Sequence, residues 1–344
     1  MAHTVTLEDV ARRAGVSPST ASRVLSGSIR VTARKTEAVM QAVQELGYSP
    51  NQIAQGLARG RSMNIGVVTQ DISSVFYAEM LRGIEQGLAD SEYRPLFISG
   101  HWQVAEERAA LDALLGRPVD ALIVLGGHTP DAVLQLLATR VPLVLVGRAQ
   151  PPADGSGRPS AYSLRVDNAL GARLGVQHLL ELGHRRIAFI SGPPDHVDAQ
   201  ERLRGYREAL AHAGLPLDPQ LVLHGDFQEA SGEAAVEQLL TRGSPFTAVF
   251  AANDQMAFGA RLALYRHGLR VPQDVSLLGF DNLTVSAYQT PPLTTVEQPT
   301  RQMGHDAAQL VLSVLAGQPQ TQPSYQPRLV QRDSTAAPPA STRP

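Results

Sequence analysis

From residue 63 onward the sequence alternates short apolar runs with amphipathic stretches of helical period: "NIGVVT", "RPLFIS", "DALIVLG" and "PLVLVG", then "RIAFISG", "LVLHG", "FTAVFAAN" and "DVSLLGF". Strands buried on both faces read as nearly continuous apolar runs, and the helices between them supply the cover, so this alternation predicts βαβ units and parallel sheets. The runs fall into two sets, separated by "AQPPADGSGRPSAYSLRVDN", whose Pro, Gly and Ser content marks a crossing between subdomains. Two lobes with a cleft are therefore expected. No run approaches the ~18 residues of a membrane span, and the N-terminus lacks a basic-then-apolar leader, so a cytoplasmic chain with no membrane partner is expected. Cysteine is absent, which excludes disulfides, thiolate metal sites and a cysteine nucleophile. At 344 residues and 43% hydrophobic, packing alone can hold two or three domains.

The first 62 residues differ in charge. They carry eight basic and four acidic side chains, a net +4, against 22 basic and 28 acidic in the remainder, a net −6. A basic headpiece on an acidic body points to a phosphate-bearing partner. Thr6 and Asp9 form a capping-box pattern ahead of "LEDVARRA", with Leu7, Val10, Ala11 and Ala14 on one face and Gly15 as a stop. Ser17 followed by Pro18 starts a second helix with Ala21, Val24 and Leu25 inward. A third begins near Thr32, carries Val39, Val43 and Leu46, and ends at Gly47. The short turn between the first two reads as helix-turn-helix.

The outward face of the second helix bears Pro18, Ser19, Thr20, Ser22 and Arg23. Arg can grip guanine in the major groove, while hydroxyls and helix N-terminal amides suit phosphate oxygens. The alternative is a small helical domain that docks a protein. In "YSPNQIAQGLARGR", Asn51 would cap a helix of about two turns, too short and too glycine-rich to hold alone. Leu57 beside Ala54 and Ala58, flanked by Arg59 and Arg61, suits a minor-groove wedge; a linker helix packed on the body is the other reading.

These segments, "VTLEDVARRAGVSPSTASRVLSG" and "LGYSPNQIAQGLARGRSMNIGVV", resemble the headpiece and hinge of the lactose-repressor (LacI/GalR) family, and the likeness continues almost to the C-terminus. The resemblance implies an N-terminal all-α helix-turn-helix headpiece with a hinge helix, followed by a two-lobed α/β body like a periplasmic binding protein, with parallel sheets. It implies that Pro18, Ser19 and Arg23 read bases, that Thr6, Ser17, Thr20, Ser22 and Asn51 approach the backbone, and that Leu57 intercalates. The implied division is headpiece 1–50, hinge 51–62, first subdomain 63–162 with 297–327, second subdomain 163–296 with 328–335, and a disordered tail 336–344. Ala21 and Ser26 stand where the family often has Val and Asn.

In open α/β sheets ligands bind beyond the carboxyl ends of the strands, and Asp71, His128, Arg148, Asn253, Asp254 and Asp281 all follow apolar runs. The chain has no G-x-G-x-x-G turn after a strand, no phosphate loop, no G-x-S-x-G elbow and no H-E-x-x-H, so neither catalysis nor a cofactor is expected. By resemblance, Arg202, Asn253 and Asp281 in "ERLRGYREAL", "AANDQMAFGA" and "GFDNLTVSAYQTPPLTTVEQP" hydrogen-bond sugar hydroxyls. Phe227 packs on the ring, and Asp71 and Phe76 line the opposite edge. From the residues alone, Arg202 could instead pair with Glu201 or Glu208, Asp254 is read as a helix N-cap, Asp167 and Asn168 as a helix start, and Trp102 as lining the cleft or packing on a surface. Gly147 precedes Arg148 where many relatives have Asp, which leaves room for a neutral sugar larger than a pentose, a disaccharide. The end of the chain carries no leucine heptad, so a homodimer on a near-palindromic operator is expected, with a sugar effector that releases it. The competing readings are a regulator tightened by its ligand and a sugar-binding or sugar-processing protein whose N-terminal helices dock a partner.

Overall fold

The computed structural model describes residues 5–26, 31–48, 61–152, 161–318 and 322–339, with the side chain of Ser26 excepted. Asn51, Ala54 and Leu57 lie outside these residues. The described chain divides into a unit ending at Met63 and a unit beginning at Asn64.

The first unit is α1 (Leu7–Ala14), α2 (Pro18–Ser26) and α3 (Ala33–Leu46). The Thr6 hydroxyl accepts from the Asp9 amide at 3.3 Å while Asp9 Oδ2 accepts from the Thr6 amide at 3.0 Å, the reciprocal cap the spacing predicts. Gly15 ends α1 at φ +65°, a conformation that disfavours any residue with a Cβ. Val10, Ala11, Ala21, Val39 and Ala42 form the core, with Leu7, Val24, Leu25 and Leu46 packed around it. Three of these five core residues are alanines, so this core is thin.

The second unit contains two sheets. The first has the order β2 (Arg94–Ser99), β1 (Asn64–Thr69), β3 (Ala121–Leu125), β4 (Leu143–Val146) and β5 (Tyr162–Leu164), all parallel. The helices α4 (Val75–Leu88), α5 (Val104–Leu115) and α6 (Asp131–Ala138) connect its strands. After β5 the chain passes to the second lobe through α7 (Asn168–Glu181), β6 (Ile187–Ser191), α8 (Val197–His212), β7 (Val222–His224), α9 (Glu229–Arg242), β8 (Ala248–Ala251), α10 (Asp254–Arg266), β9 (Ser276–Asp281) and β10 (Thr294–Glu297). It then returns as α11 (Thr300–Leu315) to pack on α4, β3 and β4, and ends its strands at β11 (Arg328–Val330). The second sheet runs β11, β10, β9, β8, β6, β7, parallel except for β11, which pairs antiparallel with β10. β5 spans the 162/163 limit expected between the subdomains and lies in the first sheet.

All eight apolar runs form strands. Each lobe has its own core, around Leu114, Leu122 and Val124 in the first and around Phe189, Phe250 and Phe280 in the second. Helix pairs on the lobes approach through glycine. A Cβ on Gly83 would sit 2.0 Å from the Arg301 carbonyl oxygen, and one on Gly304 would sit 2.0 Å from that of Met80, so α4 and α11 are in backbone contact. Gly259 of α10 meets the Glu229 carbonyl of α9 at 1.7 Å in the same test.

The expectation of a disordered tail from 336 is corrected at its start. Ala336 accepts from His184 Nε2 at 2.8 Å and its amide donates to Ser276 Oγ at 3.0 Å, while the Thr335 hydroxyl meets His178. Both imidazoles are largely enclosed, and burial holds their pKa values below the ordinary range. No helix among the described residues is long and apolar enough to cross a membrane.

Candidate functional site

On the headpiece, Ser17, Pro18, Ser19, Ser22 and Arg23 are exposed along α2, with Thr20 half-buried. Ser17 Oγ accepts from the Thr20 amide at 3.3 Å and lies 3.0 Å from Ser19 Oγ and 2.9 Å from Thr20 Oγ1, a hydroxyl cluster at the helix start. This start is where backbone amides and the helix dipole favour an anion. Thr6 is exposed, but its hydroxyl donates to Asp9 Oδ2 at 2.7 Å as part of the capping box. Of the basic side chains around this core, Arg12 pairs with Asp9 and Arg13 with Glu45.

In the body, the carboxyl ends of the strands of both sheets face one cleft. One compartment, about 350 Å³, is lined by Asp71, Phe76 and Trp102 from the first lobe and by Arg202, Phe227, Asn253 and Asp281 from the second. An adjoining compartment of about 320 Å³ lies toward the first lobe against Val146, Gly147, Arg148 and Asp131. Six of the seven expected ligand residues therefore meet in the first compartment, and Arg148 lines the second. Arg148 donates to the Gly127 carbonyl at 3.0 Å and to Asp131 at 2.9 Å.

The second-lobe wall is built around Arg202, only 3% exposed. Its Nε donates to Asn168 Oδ1 at 2.8 Å, another N–H reaches the Ala252 carbonyl, and the guanidinium lies 3.5 Å from Asp281 and 3.9 Å from the centre of the Phe280 ring. It does not pair with Glu201 or Glu208, which bind Arg165 and Arg173 at 2.8 and 2.6 Å. Burial pushes the Asp281 carboxyl up to about 7, with Arg202 pulling it back down, and burial likewise raises Asp198, which accepts from Asn168 Nδ2 at 3.0 Å. Asp281 also accepts from Gln298 Nε2 at 2.7 Å.

The N-cap of α10 is Asn253, not Asp254 as expected. Asn253 Oδ1 accepts from the Met256 amide at 2.9 Å, and its Nδ2 donates to the Phe227 carbonyl at 2.9 Å, which fixes the loop carrying that ring. Asp254, one residue further, is fully buried and accepts from the Leu283 amide, Ser286 and Thr295. These donors lower its pKa against the burial that raises it to about 6. Asp167 does cap α7, accepting from the Leu170 amide, but Asn168 turns inward to Arg202.

The first-lobe wall is made of rings. Trp102 lines both compartments. Its backbone amide donates to Gln70 Oε1 at 2.9 Å, and Gln70 in turn donates to the Leu125 carbonyl. Buried Glu107 accepts from the amides of His128 and Thr129 and from the Thr129 hydroxyl, tying the loop after β3 to α5. Trp102, Phe227 and Asp281 sit at φ +58°, +69° and +109°, left-handed values that residues with a Cβ seldom adopt and that concentrate at binding sites.

Sequence reasoning missed His196 and Asp198. His196 caps α8, its Nδ1 accepting from the Asp198 amide at 3.2 Å, and burial lowers its pKa to about 4. The neutral ring therefore carries its proton on Nε2. The available signal was positional: both residues sit in the first turn after β6, at the end of the sheet where ligands bind. Among the described residues, no group of three His, Asp or Glu could hold a metal ion.

Comparison with known proteins agrees with this arrangement. The profile of bacterial regulatory proteins of the lacI family matches residues 6–51, and that of the periplasmic binding protein-like domain matches residues 176–335. The chain is 39% identical to the HTH-type transcriptional regulator CelR of Thermobifida fusca over 319 residues, 91% of this chain and 92% of CelR. It superposes on the lac repressor dimer bound to operator and an anti-inducer with a TM-score of 0.87 at 33% identity, covering 97% of this chain and 100% of that one. A CelR–cellobiose complex aligns with a TM-score of 0.70 at 38% identity, covering 96% and 99% of the two chains. With a three-helix headpiece, a two-lobed body of sheets and a cleft at the strand ends, this chain belongs to the LacI family of bacterial transcriptional regulators.

Proposed function

We propose that the protein is a dimeric repressor of carbohydrate-utilisation genes, that its headpieces read a near-palindromic operator, and that a neutral sugar in the interlobe cleft releases it. The observation that carries this reading is the cleft itself, in which a buried Arg202–Asp281 pair lies beside the half-buried ring of Phe227. A guanidinium and a carboxylate offer directed donors and acceptors to hydroxyls, and an aromatic face suits the apolar face of a pyranose. The CelR–cellobiose complex makes cellobiose the first sugar to test. Within this reading Asp71, Phe76 and Arg148 complete the effector site. Pro18, Ser19 and Arg23 read bases, while Thr6, Ser17, Thr20, Ser22 and Asn51 meet the backbone. Ala54 and Leu57 enter the minor groove. No catalytic step is assigned, and the chain works by switching between two arrangements of its lobes.

The test is selection from fluorescent DNA carrying a randomised near-palindrome, with and without a panel of mono- and disaccharides. Enrichment of one two-fold site that a sugar weakens establishes the reading. Strengthening by the sugar makes the protein a corepressor-dependent regulator, and no enrichment at any salt concentration refutes DNA recognition. Binding should fall steeply with salt as phosphate contacts release counterions. Leu57→Ser should reduce specific affinity far more than non-specific affinity; equal loss would remove the wedge.

A further inference from the structure

Two rings stand at the boundary between the two compartments. The Trp102 ring, from the loop after β2, and the His196 ring, from the loop after β6, meet across the cleft with centroids 4.6 Å apart. The contact extends on both sides: Trp102 lies 5.4 Å from His128 and 6.3 Å from Tyr77, and His196 lies 5.1 Å from Phe227. The result is a row of rings running from one lobe to the other, and Trp102 and His196 wall both compartments. A spacing of 4.6 Å is ring contact and leaves no room for a sugar between the two.

Trp102 is held in place from behind. A Cβ on Gly126 would lie 3.2 Å from its Cη2 and 3.0 Å from the Tyr77 hydroxyl, so the indole rests against bare backbone. Its amide is tied to Gln70. His196 is held by its bond from the Asp198 amide, which leaves Nε2 as the only ring nitrogen able to donate. Each ring is backed by its own lobe, Trp102 by Gly126 and His196 by the Asp198 amide, so opening the lobes draws the two apart.

We propose that Trp102 and His196 form a size filter in the effector cleft: a monosaccharide fills one compartment and leaves the pair closed, whereas a disaccharide reaches both compartments only by parting it. The inference rests on the sugar-effector reading above and names the length of sugar to which the lobes respond. The first-lobe compartment is where the second ring goes, because a Cβ at Gly147 would meet nothing within 4 Å.

Trp102 is the chain's only tryptophan, so its emission reports the contact directly. The full-length protein is titrated with cellobiose, lactose, maltose, glucose and galactose, with calorimetry for affinity, fluorescence for Trp102 and operator release as a separate readout. The filter requires that a disaccharide shift the emission further than a monosaccharide in either compartment, and that this difference vanish in His196→Ser. His196→Ser removes the ring and keeps a good N-cap. It should tighten disaccharide binding roughly two- to tenfold, the worth of one aromatic contact, and move monosaccharide binding less than twofold. Trp102→Asn, a residue that tolerates the left-handed backbone there, should shift calorimetric affinities in the same direction.

A disaccharide that binds without moving the emission overturns the filter, and so does a His196→Ser variant that weakens the disaccharide or changes both sugar classes equally. Operator release by a monosaccharide with no disaccharide bound overturns the filter and leaves the repressor reading standing. Absence of any sugar response overturns that reading itself.

Discussion

The second lobe meets the cleft with buried charge, and the first lobe meets it with rings and backbone. Arg202 and Asp281 are each about 95% enclosed and locked by Asn168, the Ala252 carbonyl and Gln298, so their geometry exists before any ligand arrives. Phe76, Trp102 and His128 offer shape, and the positions of Trp102 and His128 depend on Gln70 and Glu107 gripping the loops behind them. The difference teaches that the buried, pre-set polar pair lies on one wall, whereas the size filter needs a ring from each, Trp102 from the first lobe and His196 from the second. A ligand must then engage both lobes to be read fully, which is what couples occupancy to lobe arrangement.

The comparison breaks if changes at the buried Arg202–Asp281 pair act on sugar length, or if changes behind the Trp102 ring act on polar affinity. The largest effect is expected from Arg202→Met. It leaves Asp198 and Asp281 buried without their cation, so denaturant unfolding should show a loss of about 3–5 kcal/mol, and calorimetry should show no sugar binding. Asp281→Asn keeps the shape and removes a charged acceptor; a fall in sugar affinity of about 10- to 100-fold is expected. The same variant tests the raised carboxyl. With Asp281 near 7 in the folded chain and 3.8 unfolded, the folded state binds the proton more tightly, so this group makes stability fall as pH rises from about 4 to about 7. Unfolding of Asp281→Asn over that window should show a flatter slope, and an unchanged slope would place the effect elsewhere.

On the first-lobe wall, Glu107→Gln removes a charged acceptor from two amides and a hydroxyl, which should lower stability by about 1–3 kcal/mol. Its signature is a change in Trp102 emission without sugar, because the loop behind the ring is loosened. Gly147→Asn should have the smallest effect. The site is open at φ +72°, which Asn tolerates, so stability should move within about 1 kcal/mol while disaccharide affinity changes a few-fold.

The legibility of the sequence followed local pattern rather than lobe. Strands rich in Val, Ile and Leu were plain, but β5 "YSL", β10 "TTVE" and β11 "RLV" were not, because they are short and polar. The Thr294 and Thr295 hydroxyls meet Thr335 and Asp254, tertiary partners that local pattern does not reveal. Arg202, Phe227 and Asp281 stood in recognisable motifs, whereas His196 and Trp102 gain meaning only when two loops from different sheets meet. The cap of α10 falls on Asn253 rather than Asp254 for a similar reason: either can cap a helix, and only the donors from Leu283, Ser286 and Thr295 decide which one turns inward.

The backbone contact between α4 and α11 has a consequence for how the chain is made. The second lobe, through β10, is drawn mainly from one stretch of sequence, but the first needs α11, which leaves the ribosome roughly 200 residues after α4. At ~5–20 residues per second that is a delay of roughly 10–40 s, during which the α4 surface around Gly83 and Gly87 has no cover. Assembly should therefore run partly against the order of synthesis: the second lobe through β10 can form while the first waits for α11, and β11 closes the second sheet last of all.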